Sequence, residues 1–343
     1  MKVRILCTIL ALGLLLSGCG AGQMAPEKKQ YNATFLTLFD TVTTITGLAD
    51  SEERFKTDVQ TIHDGLLECH RLFDIYNDYE GLNNHKTIND NAGGDPVPVD
   101  EKILLLLSDC KIFYEATGGK VNAAMGSVLQ LWHVARNDGI NDPANAYLPD
   151  RNALKEASAH TDFSAIVIDE ENSTVRITDP AVQLDVGAIA KGWSAQFVCE
   201  NAPSGYLVSV GGNVCATGPK DESGKAWVVG VQDPDDGSNY LHTLYLTDGS
   251  MVTSGDYQRN YAVDGKLYHH IIDPETLYPS EYWSSVTIVC GDSGVADMLS
   301  TALFLLPQEE GQALLTQWDA EAMWVDREGG IFYSPGFEAL IRT

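Results

Sequence analysis

The sequence has little positive charge: 22 lysines and arginines stand against 48 aspartates and glutamates, which gives a formal net charge of −26. A nucleic-acid-binding surface needs clustered basic residues to neutralise phosphates. The excess of acid therefore argues against nucleic acid as a partner and is typical of a soluble surface. An anionic ligand would need a local metal ion or helix N-termini to offset the repulsion.

The sequence also has no CxxC pair among its seven cysteines, which excludes the spacing of a zinc ribbon or a thioredoxin motif. Two of the cysteines belong to the N-terminal region. The other five have apolar neighbours and are odd in number, so they cannot all pair within the chain. We expect them to be mainly buried free thiols: Cys69, Cys110, Cys199, Cys215 and Cys290.

The apolar run near the N-terminus, Ile5–Leu16, is too short for a comfortable transmembrane helix, which needs about 20 apolar residues. Lys2 and Arg4 precede it. Positive residues followed by a short apolar core are typical of a signal peptide, and we place this peptide at residues 1–18.

The end of that run, Leu16-Ser17-Gly18-Cys19, resembles a bacterial lipobox. The resemblance implies cleavage before Cys19 and lipidation of its sulfur. We therefore expect residues 19–33 to tether the protein to the extracytoplasmic face of the cell membrane. The alternative is an ordinary signal peptide in which Cys19 is incidental.

Residues 34–343 show no internal repeat and no linker, so we expect one α+β domain with antiparallel-rich sheets and flanking helices. Its clearest helix is residues 51–73, where apolar residues recur at helical spacing. Asp50 with Glu53 forms a capping-box pattern at its start.

Three further segments predict local structure that positions the rest. Phe35–Thr46 is rich in β-branched residues and predicts one strand. Tyr76–Pro98 is turn-rich and polar and predicts a long loop, and residues 135–150 also predict a loop. The segments whose side chains suit catalysis or ligand binding lie mainly in the second half of the chain.

A polar cluster is expected in Thr253–Pro279. Asp264-Gly265 predicts a tight hairpin, because both central turn residues need a positive φ. The hairpin would bring Thr253–Asp256 and His269–Asp273 to one end of a sheet. A core histidine or a turn-capping aspartate would explain one such residue, but the cluster favours a functional site because unpaired polar groups are costly to bury.

Three shorter segments carry weaker signals. Asp185–Gly192 surrounds an expected helix start, whose free N–H groups suit phosphate; an ordinary strand-to-helix turn would look the same. Asp297 and Thr301 lie on one face of a helix, and their oxygens suit Mg²⁺; a surface hydrogen bond is the alternative. Gly211-Gly212 either permits close backbone approach or makes a tight turn.

Taken in order, DVGAIAKG, SVGGN, TSGDY…HHIIDP and SVTIV…ADMLSTALF resemble the family of ApbE-type FAD:protein FMN transferases. The match spans about Phe35 to Leu306, and that family has lipoprotein members, which fits Cys19. The resemblance implies an ApbE-like fold. It also implies an enzyme that moves the FMN half of FAD onto a Thr or Ser hydroxyl of a partner protein and releases AMP, with Mg²⁺ bridging the pyrophosphate.

The resemblance also implies residue roles by motif position. His270, more than His269, matches the histidine that activates the acceptor hydroxyl, and Asp273 is the second catalytic candidate. The implied Mg²⁺ ligands are the carbonyl oxygen of Ala188 and the side chains of Asp297 and Thr301. The residues implied in FAD binding are Phe39, Tyr76, Ala123, Ala124, Met125, Asp185, Lys191, Gly212, Ser254 and Ile271.

This chemistry agrees with the residue types. Attack by a neutral hydroxyl on a pyrophosphate needs a base near neutral pKa, which suits histidine, and Mg²⁺ with Lys191 would neutralise charge on the phosphates. The implied partner is an extracytoplasmic redox protein with a Ser/Thr-Gly-Ala-Ser/Thr type motif. Two alternatives stay open: Mg²⁺-dependent hydrolysis of FAD to FMN and AMP, and a flavin-binding lipoprotein without turnover.

Two places depart from the family pattern. Leu277 stands where family members usually have glycine, and a positive φ there would cost a non-glycine residue about 1–2 kcal/mol. Val121-Asn122 replaces a more usual Phe-Asp pair. The first departure bears on the loop after Asp273, and the second on the contacts near Ala123.

Overall fold

The computed structural model describes residues 28–343, so the expected signal peptide and Cys19 lie outside the described residues. The described part is a mixed α+β domain, as predicted. Its helices are α1 (Glu52–Phe73), α2 (His85–Asp90), α3 (Glu101–Ala116), α4 (Gly126–Asn141), α5 (Arg151–Ser158), α6 (Ala190–Asn201), α7 (Ser293–Phe304) and α8 (Gln308–Leu315). Its strands are β1 (Lys29–Leu38), β2 (Thr41–Ala49), β3 (Val97–Pro98), β4 (Ile166–Asp169), β5 (Thr174–Ile177), β6 (Tyr206–Val210), β7 (Asn213–Ala216), β8 (Trp227–Gln232), β9 (Tyr240–Leu246), β10 (Gly249–Gly255), β11 (Tyr261–Val263), β12 (Lys266–Tyr268), β13 (Ser285–Cys290), β14 (Ala320–Val325) and β15 (Ile331–Tyr333).

The main sheet has eight strands in the order β1-β2-β6-β7-β10-β13-β14-β15, and every neighbouring pair is antiparallel. Helices α1, α6 and α7 pack on one another and on strands of this sheet. Leu106, Leu303 and Trp324 are fully buried in the cluster that joins α3, α7 and β14. The packing of α6 on α7 is the part of the fold that positions the site.

Helix α1 confirms the helix predicted from apolar spacing, with Phe55, Ile62 and Leu66 buried on its inner face. The predicted capping residue is wrong by one position. Ser51, not Asp50, is the N-cap, and its hydroxyl accepts a hydrogen bond from the backbone N of Arg54 at 3.2 Å. Ser51 has the extended backbone that an N-cap requires.

The single strand predicted for Phe35–Thr46 is instead the hairpin of β1 and β2. The chain turns at Phe39 and Asp40, which have φ values of 53° and 51°. Neither residue is glycine, and β-branched residues lie on both sides. The sequence pattern therefore contained no turn signal between the two strands. Strand β1 also begins at Lys29, which places residues 29–33 of the expected tether in the sheet.

Two predicted loops contain helices. Within Tyr76–Pro98, Asn84 forms a capping box with Thr87 and starts α2. Helix α4 continues to Asn141. It therefore includes the first part of the segment that was predicted as a loop, residues 135–150. Gly139 is tolerated in that helix because a Cβ there would lie 2.6 Å from the ring of Tyr261, so close packing needs glycine.

Other expectations are confirmed. Asp264 and Gly265 both have positive φ, 49° and 79°, and join β11 to β12. Leu277 has a positive φ of 62°, and its carbonyl accepts a hydrogen bond from Trp132 Nε1 at 2.9 Å. All five predicted thiols are free, and Cys290 alone among them is partly exposed. None of the helices in residues 28–343 combines the length and the apolar character needed to span a membrane.

His85, in α2, predicts a pH dependence of stability. Its side chain is fully buried, and burial lowers its pKa to about 4. Between pH 6.5 and 4 the unfolded chain binds a proton that the native chain does not, so this contribution is present above pH 6.5 and is lost as pH falls. The loss from this group is about 3 kcal/mol.

Urea unfolding measured from about pH 7.5 down to pH 4 tests this. We expect the stability of His85→Gln to decline less steeply with acidity than that of the wild type. Replacing His63, on α1, by glutamine is the control. An equal decline in the wild type and the His85 variant would contradict the prediction.

Candidate active site

A cavity of about 420 Å³ lies between α4, the start of α6, α7 and the end of β10. It also takes in the segment that follows the Asp264-Gly265 hairpin. The cavity therefore gathers side chains that are far apart in the sequence. The predicted residues that line it are Tyr76, Ala123, Met125, Asp185, Ala188, Lys191, Ser254, His270, Ile271, Asp297 and Thr301.

The junction of α6 and α7 fixes a carboxylate at this cavity. Asp297 is 4 % exposed, and its Oδ2 accepts a hydrogen bond from the backbone N of Gly192 at 2.9 Å. Lys191 Nζ lies 3.5 Å from the same oxygen. Gly192 permits this approach, because a Cβ there would lie 2.5 Å from Asp297 Cβ and would also collide with the carbonyl oxygen of Ser293.

The oxygen donors at this junction suit a hard cation. Asp297 and Thr301 are one turn apart on α7, and Ala188 lines the same cavity. Residues 28–343 contain no group of three or more histidines, cysteines, aspartates or glutamates that could hold a metal. A site built on one carboxylate, a hydroxyl and a carbonyl fits Mg²⁺, which usually keeps water or phosphate as its other ligands.

The turn before α6 supplies further polar groups. Asp185 accepts a hydrogen bond from the backbone N of Gly187 at 2.8 Å, and burial raises the pKa of its carboxyl group. Its own backbone N donates to the carbonyl of Ala123 at 2.8 Å, which ties two predicted binding segments together. The first N–H groups of α6 are mostly occupied: that of Ala190 donates to the carbonyl of Val186 at 2.9 Å, and that of Gly192 donates to Asp297.

The two neighbouring histidines have different roles in the structure. His269 uses both ring nitrogens: Nδ1 accepts from the backbone N of Ile271 at 3.2 Å and Nε2 lies 2.8 Å from the carbonyl of Ser280. Both histidines line the cavity, but the buried Nδ1 of His270 has no hydrogen-bond partner among the described residues. This arrangement favours His270 over His269 as the reactive imidazole.

The surroundings of His270 keep its ring neutral. Burial lowers its pKa to about 3, and the nearby positive charges of Arg259, Lys191 and Arg136 act in the same direction. A neutral imidazole can accept a proton, but a base with so low a pKa is weak. An anion that binds among these cations would raise this pKa and strengthen the base.

Asp273 is held away from the cavity lining. Its Oδ1 lies 3.0 Å from Lys120 Nζ and accepts a hydrogen bond from the backbone N of Glu275 at 3.0 Å. Lys120 itself lines the cavity. The structure thus gives Asp273 contacts that position Lys120 and the turn after His270, and no direct access to the cavity.

Three other predicted residues do not line the cavity. Phe39 packs against His70, and its neighbour Asp40 reaches the cavity instead. Ala124 is fully buried in the core. Gly212 makes the tight turn between β6 and β7, while Gly211 lines the cavity beside the Thr41 side chain.

The cavity is also lined by residues outside the predicted set, among them Arg136, His133 and Arg259. Arg136 lies in the segment predicted as a loop, and Arg259 precedes the predicted hairpin. Basic residues are scarce in this chain. That scarcity was the only sequence signal that could have marked these arginines as candidates for binding an anion. His133 also stacks with Tyr76, with ring centroids 5.3 Å apart.

The contact between Gly192 and α7 predicts a sensitive position. Gly192→Ala should push α6 from α7, lower stability by about 1–3 kcal/mol and displace the Asp297 carboxylate. Thermal unfolding and activity should both fall. Gly291→Ala is the control, because nothing lies within 4 Å of a Cβ there; equal behaviour of the two variants would contradict the assigned packing.

Together the fold and the cavity define an α+β protein with a polar, partly cationic pocket whose donors suit a phosphate-containing ligand. The family model described as the ApbE family matches residues 39–324. An FAD:protein FMN transferase of Treponema pallidum is 35% identical over 275 residues, 75% of this chain and 74% of that protein. One of Klebsiella pneumoniae is 31% identical over 286 residues, 79% of this chain and 86% of that protein.

Solved structures agree with this comparison. The crystal structure of the ApbE protein from Thermotoga maritima has a TM-score of 0.80 and 29% identity, and the match covers 92% of this chain and all of that one. The chain therefore belongs to the ApbE family. Its relatives are enzymes named as flavin transferases.

Proposed function

We propose that this protein transfers the FMN half of FAD to a Thr or Ser hydroxyl of a partner protein and releases AMP, in a Mg²⁺-dependent reaction. The observation that carries the proposal is His270, a neutral imidazole with an unpartnered buried nitrogen. It lines the same cavity as Asp297, Thr301 and Lys191, which suit a pyrophosphate. The names of the relatives support the same reaction.

In the proposed reaction, His270 takes the proton of the acceptor hydroxyl as its oxygen attacks the phosphorus of the FMN half. The bond between that phosphorus and the bridging oxygen breaks, and AMP leaves with the electron pair. The ammonium group of Lys191 stabilises the negative charge that develops on the phosphates. Atoms balance: FAD and the hydroxyl give the phosphodiester-linked FMN, AMP and a proton.

Asp297, Thr301 and the carbonyl of Ala188 would hold Mg²⁺, and these hard oxygens fit it. The ion would act as a Lewis acid that neutralises charge on the pyrophosphate. Gly192 and Lys191 fix the Asp297 carboxylate from α6, so binding at this point depends on the packing of two helices. Tyr76, Ala123, Met125, Asp185, Ser254 and Ile271 would bind and orient the rest of FAD.

We also propose that lipid on Cys19 anchors the enzyme on the extracytoplasmic face of the membrane, where the acceptor is a redox protein with a Ser/Thr-Gly-Ala-Ser/Thr type motif. The lipobox-like segment Leu16–Cys19 supports this. Cys19→Ala should lose incorporated palmitate and move from the membrane fraction to the soluble fraction. A variant that stays in the membrane would contradict the anchor.

The test of the reaction mixes residues 28–343 with FAD, Mg²⁺ and a domain that carries the acceptor motif. The acceptor should gain the mass of one FMN, and the gain should disappear with chelator. FMN and AMP with an unmodified acceptor would instead indicate the hydrolase. FAD that stays intact would indicate a binding protein and overturn the proposal.

A further inference from the structure

Two arginines on the cavity have no acidic partner. Arg136, from α4, and Arg259, from the loop between β10 and β11, both line it. Among the ion pairs of residues 28–343, neither guanidinium lies within 4.0 Å of a carboxylate, although Asp40 and Asp185 line the same cavity. In a chain of net charge −26, unpaired arginines at a cavity indicate a site for an anion.

Each arginine is held in place by other contacts. Arg136 Nη2 donates to His133 Nδ1 at 3.0 Å, and His133 stacks on Tyr76. Arg259 is exposed, but its backbone has φ of 43°, in the left-handed region that residues other than glycine seldom adopt. Its Nη2 lies 3.4 Å from the carbonyl of Phe39, which links it to the β1–β2 turn.

The two guanidiniums also repel each other. Burial lowers the pKa of Arg136, and the charge of Arg259 lowers it further. Both charges act on His270 in the same direction. A bound oxyanion would relieve the repulsion and would sit within the electrostatic reach of the proposed base.

We propose that Arg136 and Arg259 form an oxyanion subsite on the exposed side of this cavity. The ligand would be a group with two or more anionic oxygens, which matches the planar fork of a guanidinium. Two sources carry that chemistry: the phosphate on the FMN half of the substrate, and a carboxylate beside the target hydroxyl of the acceptor. The inference rests on the proposed function. In it, the two arginines position the bound oxyanion and take no part in the chemical step.

The first arm measures binding of FMN and of riboflavin by quenching of flavin fluorescence, with chelator present so that no metal contributes. If the subsite holds the flavin phosphate, Arg136→Gln/Arg259→Gln should bind FMN about 10–100-fold more weakly and riboflavin unchanged. Arg342→Gln, an exposed charge-matched change away from the cavity, should alter neither. Arg136→Lys/Arg259→Lys should be intermediate, because lysine keeps charge but loses the fork.

The second arm compares two synthetic acceptor peptides that differ only in Glu or Gln beside the target hydroxyl. If the subsite holds the acceptor carboxylate, the wild type should prefer the Glu peptide by about tenfold in kcat/KM, and the double glutamine variant should lose the preference. A folded double variant that is unchanged in both arms overturns the proposal. If the wild type modifies neither peptide, the result counts against the transferase reaction and not against the subsite. The FMN and riboflavin binding of the first arm then decides whether the subsite exists.

Discussion

Replacing His270 with alanine should slow FMN transfer by about 10²–10⁴-fold, the usual contribution of a general base. FAD binding should change little, because Asp297, Lys191 and Asp185 remain at the cavity. Single-turnover transfer to an acceptor domain, with FAD binding measured separately, distinguishes the two effects. His160→Ala, which removes a partly exposed histidine outside the cavity, should transfer at the wild-type rate.

The pH profile offers a sharper check on this assignment. In the free enzyme, burial and nearby cations hold the pKa of His270 at about 3. Anionic FAD would offset those cations and raise that pKa. The acidic limb of kcat, which reports the complex, should therefore lie at higher pH than that of kcat/KM, which reports the free enzyme.

Two results would remove His270 from this role: transfer at the wild-type rate in the alanine variant, or acidic limbs unchanged by its replacement. His269 provides a contrast within the same segment. Since both of its ring nitrogens bind the backbone, His269→Ala should lower the thermal unfolding temperature first. A loss of transfer in that variant should follow the loss of folded protein.

Local patterns in the sequence predicted the parts of the site that depend on neighbours in the chain. The spacing of Asp297 and Thr301 placed them on one helical face, and Asp264-Gly265 predicted its hairpin. Each of these rests on periodicity or turn chemistry within a few residues.

The missed parts depend on contacts that are remote in sequence. Gly192 brings α6 against Asp297, and no local pattern shows that this glycine faces that helix. Arg136 was hidden because Asn137-Asp138-Gly139 resembles a loop, whereas the ring of Tyr261 packs against Gly139 in α4. The Phe39-Asp40 turn lacks glycine, so turn signals did not mark it. Tertiary packing decided all three.

Asp297→Asn should lower FMN transfer by about 10²–10⁴-fold at ordinary Mg²⁺ concentrations, since a Lewis-acid contribution of several kcal/mol would be weakened. Both contacts that described residues make with this carboxylate involve Oδ2. Asparagine can still accept from Gly192 through its carbonyl oxygen, so the α6–α7 junction should persist. The change therefore removes charge with little effect on packing.

Titration of the transfer rate with Mg²⁺ measures this effect directly. The asparagine variant should need a much higher Mg²⁺ concentration for half-maximal rate. Thr301 supplies a matched pair: Thr301→Ser keeps the hydroxyl and should keep the Mg²⁺ response, while Thr301→Val loses it at nearly constant volume and should shift the response. If Asp297→Asn kept the wild-type rate and Mg²⁺ response, the cation would have to bind elsewhere. The buried carboxylate would then serve only to join α6 to α7.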